Sequence, residues 1–225
     1  MLTSLIVALL LALGAEEPLP QNATSNPTLE TVLSNVKKAS ENIEDLRAEF
    51  VQEKIFTVFD EKEKSAGQVF YSRPDLLIMR QEKPDEVTTW MKGREIMVYE
   101  KEVDQLRKYV LSEEDRDLSF LAARFDGRVL EKRFSLCLKR TLRKRNERLF
   151  VVELIPKSEE LAADIDRVEV EISDERWLVK RISIYETNRD ITRITFSNVR
   201  LNTGLRGGED LPKMPEGKQV IDLSE

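Results

Sequence analysis

Gly67-Gln-Val-Phe-Tyr-Ser-Arg73-Pro74 is the stretch on which the reading of this chain turns. Val69, Phe70 and Tyr71 are strand formers, and a period of two puts Val69, Tyr71 and Arg73 on one face. Arg73-Pro-Asp75 then reads as a turn, and continuing in phase beyond it adds Leu77 and Met79 to the same face. The pattern spreads outward from here. Strands are expected over 46–58, 67–73, 76–82, 87–91, 95–100 and 105–111. Their separators are Lys64-Ser-Ala-Gly67, Arg73-Pro-Asp75, Lys83-Pro-Asp85, Lys92-Gly93 and Lys101-Glu102. Links this short join antiparallel neighbours, because a parallel crossover needs a dozen or more residues.

Two helical patterns interrupt the strands. Leu29, Val32, Leu33, Val36, Ala39 and Ile43 recur at helical spacing and predict an amphipathic helix ending near Glu44, with Asn26 as cap and Pro27 in its first position. Ser112-Glu-Glu-Asp115 opens a second one, with Leu118, Leu121, Ala122 and Phe125 on one face and Gly127 as its stop. Further strands are expected over 129–142, 149–156, 166–173, 177–186 and 191–201, with one helical turn around Leu161-Ala-Ala163. The Pro-rich tail after Leu211 suits a sheet edge. The fold class is mainly β (α+β), with about eleven strands in one antiparallel sheet, and a sheet of that width must curl or split. Its concave face would be covered by the two helices.

The chain opens on the apolar run Leu5–Leu13, ends that run in small residues at Gly14-Ala15 and turns acidic at Glu16. This is the shape of a secretory signal peptide over residues 1–15, too short to span a bilayer. Residues 16–27 read as a flexible leader, and 28–225 as a single domain outside the cytoplasm. Net charge is −6, which argues against a general nucleic-acid binder. The single cysteine, Cys137, excludes an internal disulfide and, in an alternating apolar stretch, reads as a buried inert thiol. Histidine is absent, which excludes Ser-His-Asp and Cys-His hydrolases and removes the commonest metal ligand. Acidic runs such as Asp60-Glu-Lys-Glu alternate with basic residues as a solvated face does, and no metal-ligand spacing or Gly-rich phosphate loop is present. No catalytic residue, metal or cofactor is expected.

The order of several weak motifs carries a resemblance. Leu46-Arg-Ala-Glu-Phe-Val-Gln52 leads into a strand. Then come the Gly67–Pro74 segment, Pro84, Lys92-Gly93, Glu95-Ile-Met-Val-Tyr99 and Gln105. Val168–Ile172, Trp177–Ile182 and Ile194–Val199 follow as a closing meander. This series resembles the periplasmic lipoprotein carrier family, LolA, over most of residues 29–202. The resemblance implies an unclosed antiparallel half-barrel with a helical lid over an apolar cavity. It implies a periplasmic carrier that takes acylated lipoproteins from an inner-membrane transporter to an outer-membrane receptor, without chemistry and as a monomer. It also makes Arg73 the residue that holds the lid closed through its backbone. Met79 and Met97 depart from the aromatic residues common at those places, and Leu211–Gly217 departs from the usual C-terminal pattern.

Alternation then names lining candidates: Phe50, Val69, Tyr71, Leu77, Met79, Met97, Tyr99, Phe134, Leu136, Leu138, Phe150, Val152, Leu154, Ile182, Ile184 and Phe196, with Leu118, Leu121 and Phe125 from the lid. Any half-buried sheet shows the same alternation, so patterning alone favours packed core, and it is the resemblance that favours a cavity lining. Lys139–Arg148 holds six basic residues in ten, a solvated hairpin turn or a contact for an anionic surface. Trp90 and Trp177 read as sheet packing or interface aromatics. Two other functions remain open: a lipid-sensing regulatory module of the same fold, and an enzyme using carboxylates on lipids or glycans, for which no paired-acid motif stands out.

Overall fold

The computed structural model describes residues 27–111, 127–144, 147–205 and 211–224. Twelve strands form one open sheet. In chain order they are β1 (Asp45–Phe56), β2 (Glu61–Ser72), β3 (Leu76–Lys83), β4 (Val87–Lys92), β5 (Glu95–Glu100), β6 (Gln105–Val110), β7 (Phe134–Lys144), β8 (Glu147–Pro156), β9 (Ile165–Ser173), β10 (Val179–Glu186), β11 (Ile191–Leu201) and β12 (Val220–Asp222). The spatial order is β12-β6-β5-β4-β3-β2-β1-β11-β10-β9-β8-β7. Every hairpin is antiparallel, and β11 returns beside β1, so two meanders are joined at the centre. The ends, β7 and β12, do not meet. This is an unclosed half-barrel.

The helices are α1 (Leu29–Glu41), α2 (Gly127–Arg133) and α3 (Glu159–Asp164). Thr28 caps α1, its hydroxyl accepting from the Thr31 amide. The cap was expected at Asn26, which lies outside the described residues, and the helix stops three residues before the expected Glu44, at Glu41. Val32, Leu33 and Val36 on its apolar stripe are buried against the sheet. Each such side chain contributes about 2 kcal/mol when fully removed from water.

Several boundaries differ from expectation. Residues 129–133 belong to α2, not to a strand, and Gly127 opens that helix where a stop was expected. Lys64–Gly67 is strand, and the turn it was expected to make lies at 57–60, where Asp60 takes φ +52°. Gly67 serves a different need. A Cβ there would lie 1.9 Å from the Arg80 carbonyl oxygen, and the β2–β3 register slips beside it. Close backbone approach at a bulge bends the sheet, and only glycine permits it. A twelfth strand, β12, adds itself parallel to β6 at the edge.

The two faces differ. Across the concave face, Leu46, Tyr71, Leu77, Met91 and Ile96 lie in one cross-strand row. On the other half Ile194, Ile182, Val170, Val152 and Leu138 lie in another. Both rows belong to the large apolar cluster that α1 covers. The convex face of β2–β5 has its own small cluster of Phe70, Ile78, Trp90 and Leu205, with Met97, Tyr99 and Leu211 packed on it. The C-terminal segment roofs this cluster, and the Trp90 indole donates to the Pro212 carbonyl at 2.8 Å. Elsewhere the convex face is charged: Glu153, Glu169 and Glu171 face Lys139, Arg140, Arg167 and Arg181.

Candidate functional site

Sixteen sheet residues were expected to share one face, and the structure divides them. Phe50, Val69, Tyr71, Leu77, Phe134, Phe150, Val152, Leu154, Ile182, Ile184 and Phe196 are buried members of the concave cluster. Met79, Leu136 and Leu138 are partly buried and pack against it. Met97 and Tyr99 are on the opposite face, in the Trp90 cluster. In Glu95-Ile-Met-Val-Tyr99 both phases are apolar, so alternation alone could not choose between Ile96 with Val98 and Met97 with Tyr99. The structure puts Ile96 and Val98 inward. Leu118, Leu121 and Phe125 lie outside the described residues. Cys137 is exposed, not buried, because Leu136 and Leu138 take the inward phase of β7 and leave it facing Glu153 on the convex side.

Cover over the concave face is uneven. On β8 and β10, Phe150, Val152, Leu154, Ile182 and Ile184 are fully buried. Toward β6 the inward residues Met79, Val98 and Tyr109, with Leu111 just beyond, are only partly covered. Leu29 at the start of α1 is likewise only partly buried against the cluster. Trp177 stacks on Phe150 with ring centroids 5.5 Å apart and planes at 8°, closing the end of the cluster near the β9–β10 turn.

A polar assembly fastens the C-terminal end of α1. The Arg73 guanidinium donates to the carbonyls of Glu41 at 2.6 Å and Ser40 at 3.2 Å, and its other terminal nitrogen is 3.5 Å from the Glu44 carboxylate. Helix ends leave carbonyls without intrahelical partners, and a fixed cation is favoured there by the helix dipole. The Arg73 amide also bonds the Glu44 carbonyl, so main chain and side chain act together. Arg73 therefore grips the N-terminal helix; the mid-chain segment expected as the lid falls outside the described residues.

Sequence reasoning missed the other half of this assembly. Asn202 accepts from the Glu44 amide and donates to the Asn42 carbonyl. The buried carboxylate of Asp45 accepts from the amides of Thr203, Gly204 and Leu205 and from the Thr203 hydroxyl. Asp45 thereby fixes the turn after β11 that delivers Leu205 to the convex cluster. The available signal was weak: an Asp before a strand and Asn202-Thr-Gly204 after another, with 156 intervening residues, Asn202 and Gly204 both taking positive φ.

An open half-barrel, an apolar concave face and a helix pinned across it by the Arg of an Arg-Pro turn coincide with a sequence match. The family model for outer membrane lipoprotein carrier protein LolA matches residues 41–207. The chain belongs to the LolA family. Among solved structures, an uncharacterized conserved protein from Thermus thermophilus is 13% identical with a TM-score of 0.57, covering 86% of this chain and 98% of that one. A LolA superfamily protein from Nitrosomonas europaea is 14% identical with a TM-score of 0.42, over 83% and 96% of the two chains. The Pseudomonas aeruginosa MucA/MucB complex gives 14% identity and a TM-score of 0.46, over 76% and 56%. No curated protein matches the chain. The matched residues take in the Arg73 assembly from Glu41 to Leu205 and leave out most of α1 and the C-terminal roof.

Proposed function

We propose that this protein is a periplasmic carrier for acylated lipoproteins, holding their acyl chains against the concave face and passing them from an inner-membrane transporter to an outer-membrane receptor without chemical change. One observation carries the reading: the apolar concave face is covered by an amphipathic helix whose end is tied by a few polar contacts centred on Arg73. An exposed acyl chain costs about 0.8 kcal/mol per methylene in water, so a carrier needs a continuous apolar wall. It also has to release its load. A cover fastened by a few hydrogen bonds lets open and closed forms lie within a few kcal/mol of each other, so the cargo itself can shift the balance. Half-covered Met79, Val98 and Tyr109 mark the flank where the wall is nearest to accepting a chain. In this reading residues 1–15 are the export signal, 16–27 a leader, and the protein works as a monomer.

The test is extraction. The protein, lacking residues 1–15, is incubated with inner-membrane vesicles bearing a triacylated lipoprotein, and the soluble fraction is assayed for intact cargo. Soluble, uncleaved lipoprotein in complex is the expected result. Capture of a regulator's periplasmic domain with no extraction would favour the sensing module instead, and turnover of the lipid would favour an enzyme.

A further inference from the structure

The outer half of β7 carries a feature that acyl-chain binding alone does not use. Leu138 pairs with Val152 and Arg140 with Val151, so Lys139 is an extra residue in the strand. Beyond this bulge Thr141 pairs with Phe150, a member of the concave cluster, and Arg143 follows in the same phase. The result is a pocket of about 540 Å³ lined by Leu138, Arg140, Thr141 and Arg143. Without the bulge, period two would have carried Arg140 and Leu142 inward and turned Arg143 out.

Among the described residues the lining has one apolar residue, one hydroxyl and two guanidiniums, and no carboxylate. Arg140 is engaged on its convex side with Glu169 at 3.1 Å. Of the other nearby cations, Lys139 is held by Glu153 and Glu169, and Arg148 by Asp174. Arg143 has no ion-pair partner among the described residues. A guanidinium donates several hydrogen bonds in a fork that matches phosphate oxygens, and the Thr141 hydroxyl adds a donor beside it. Leu138, also in the lining, belongs to the apolar row that runs through Val152 and Val170 to Ile182.

We propose that this pocket is a binding site for the phosphate headgroup of an anionic phospholipid whose acyl chains run inward from Leu138 along the concave face. The proposal rests on the carrier reading in one respect, that the concave face seats acyl chains. The charge assigns the headgroup: a zwitterionic lipid brings a cation of its own to a rim that already has two, whereas an anionic one meets Arg143 unopposed. The apolar row separates such a lipid from free phosphate, which would gain nothing from Leu138.

The experiment titrates the protein with dihexanoyl phosphatidylglycerol, with dihexanoyl phosphatidylcholine and with inorganic phosphate, each lipid below its micellar concentration. Binding is read from the dissociation constants and from chemical-shift changes at Thr141 and Arg143. Phosphatidylglycerol is expected to bind about tenfold more tightly than phosphatidylcholine, the ratio that one charge-assisted contact supports. Arg143 is exposed and has no ion-pair partner among the described residues, so the Arg143→Gln variant is expected to fold; it is expected to reduce the ratio to near one, weakening phosphatidylglycerol more than phosphatidylcholine. Thr141→Val is expected to reduce it in part. Equal affinity for the two lipids, a preference that survives Arg143→Gln, or inorganic phosphate binding as tightly as phosphatidylglycerol would each overturn the assignment. Lipoprotein extraction with no lipid preference removes this site and keeps the carrier; a lipid preference with no extraction does the reverse.

Discussion

At the scale of single residues, Arg73 and Asp45 act on the same helix end by different means, and substitution should separate them. Arg73 is partly solvated and bonds two helix-end carbonyls. Arg73→Leu removes charge-assisted bonds whose carbonyl partners can turn to water, so a stability loss of about 1–2 kcal/mol is expected. Amide exchange over 29–44 should quicken and, if the proposed carrier role holds, cargo delivery should fall by more than stability does; unchanged exchange in the mutant would show that the grip is idle. Asp45 is buried and accepts four hydrogen bonds. Asp45→Ala strands those donors and should cost roughly 3 kcal/mol in a denaturant titration. The convex ion network responds to pH. Burial pushes the Glu169 carboxyl up, but the hydrogen bond and charge of Lys139, with Arg140 and Arg167, outweigh it and hold it below the ordinary 4.5. A carboxyl depressed in the folded state contributes stability that is full above its unfolded value and disappears as pH falls through the folded one. Glu169→Gln should therefore flatten the loss of stability below about pH 4.5. Lys139, raised above 10.5 by its hydrogen bonds to Glu153 and Glu169, works in the opposite sense, its contribution fading only as pH climbs beyond that value.

At the scale of elements, the strands were legible wherever one face is apolar and the other polar. Residues 191–201 coincide with β11, where Thr192, Ile194 and Phe196 alternate with more exposed neighbours. The reading failed where both faces are apolar. The β2–β5 half has Phe70, Ile78, Trp90 and Met97 outward because a second layer, the C-terminal segment, covers them, and nothing within the strands announces a cover that comes from more than 100 residues away. The α2 helix was missed for a different reason: Gly127 is a helix-stop residue in isolation, yet here it opens a helix whose Leu130 is buried in the concave cluster. Two measurements probe these elements. Deleting residues 211–225 in a Trp177→Phe background should red-shift Trp90 emission, since the indole loses both its apolar roof and its Pro212 partner; emission that stays put would mean the segment is not the cover. Gly67→Ala forces a Cβ into the Arg80 carbonyl, so β2 and β3 must part at the bend. A loss of 3 kcal/mol or more is expected on the order-of-magnitude scale for overpacking against backbone, whereas Gly217→Ala, which meets nothing within 4 Å, should show only its φ strain.

At the scale of the whole molecule, a carrier built on an open sheet with an apolar concave face would have to solve two problems at once: staying closed to water when empty and yielding when loaded. The β8–β10 half of the concave face is fully buried and the β6 flank is not, so the cluster is tight in the second meander and looser toward the outer edge of the first. In the carrier reading α1 is the cover that has to move, and a few polar contacts fasten its C-terminal end. Acyl binding should therefore stabilise the fold while loosening α1, a combination that ordinary ligand rigidification does not produce. By mass action, a lipopeptide present at 100 times its dissociation constant adds about 2.7 kcal/mol to unfolding, visible as a rise in Tm. In the same sample, amide exchange over 29–41 should increase relative to the empty protein, while exchange over β8–β10 should decrease. A lipopeptide that raises Tm and protects α1 along with everything else would show that the helix is part of a fixed core, and that chains, if bound, rest elsewhere on the sheet.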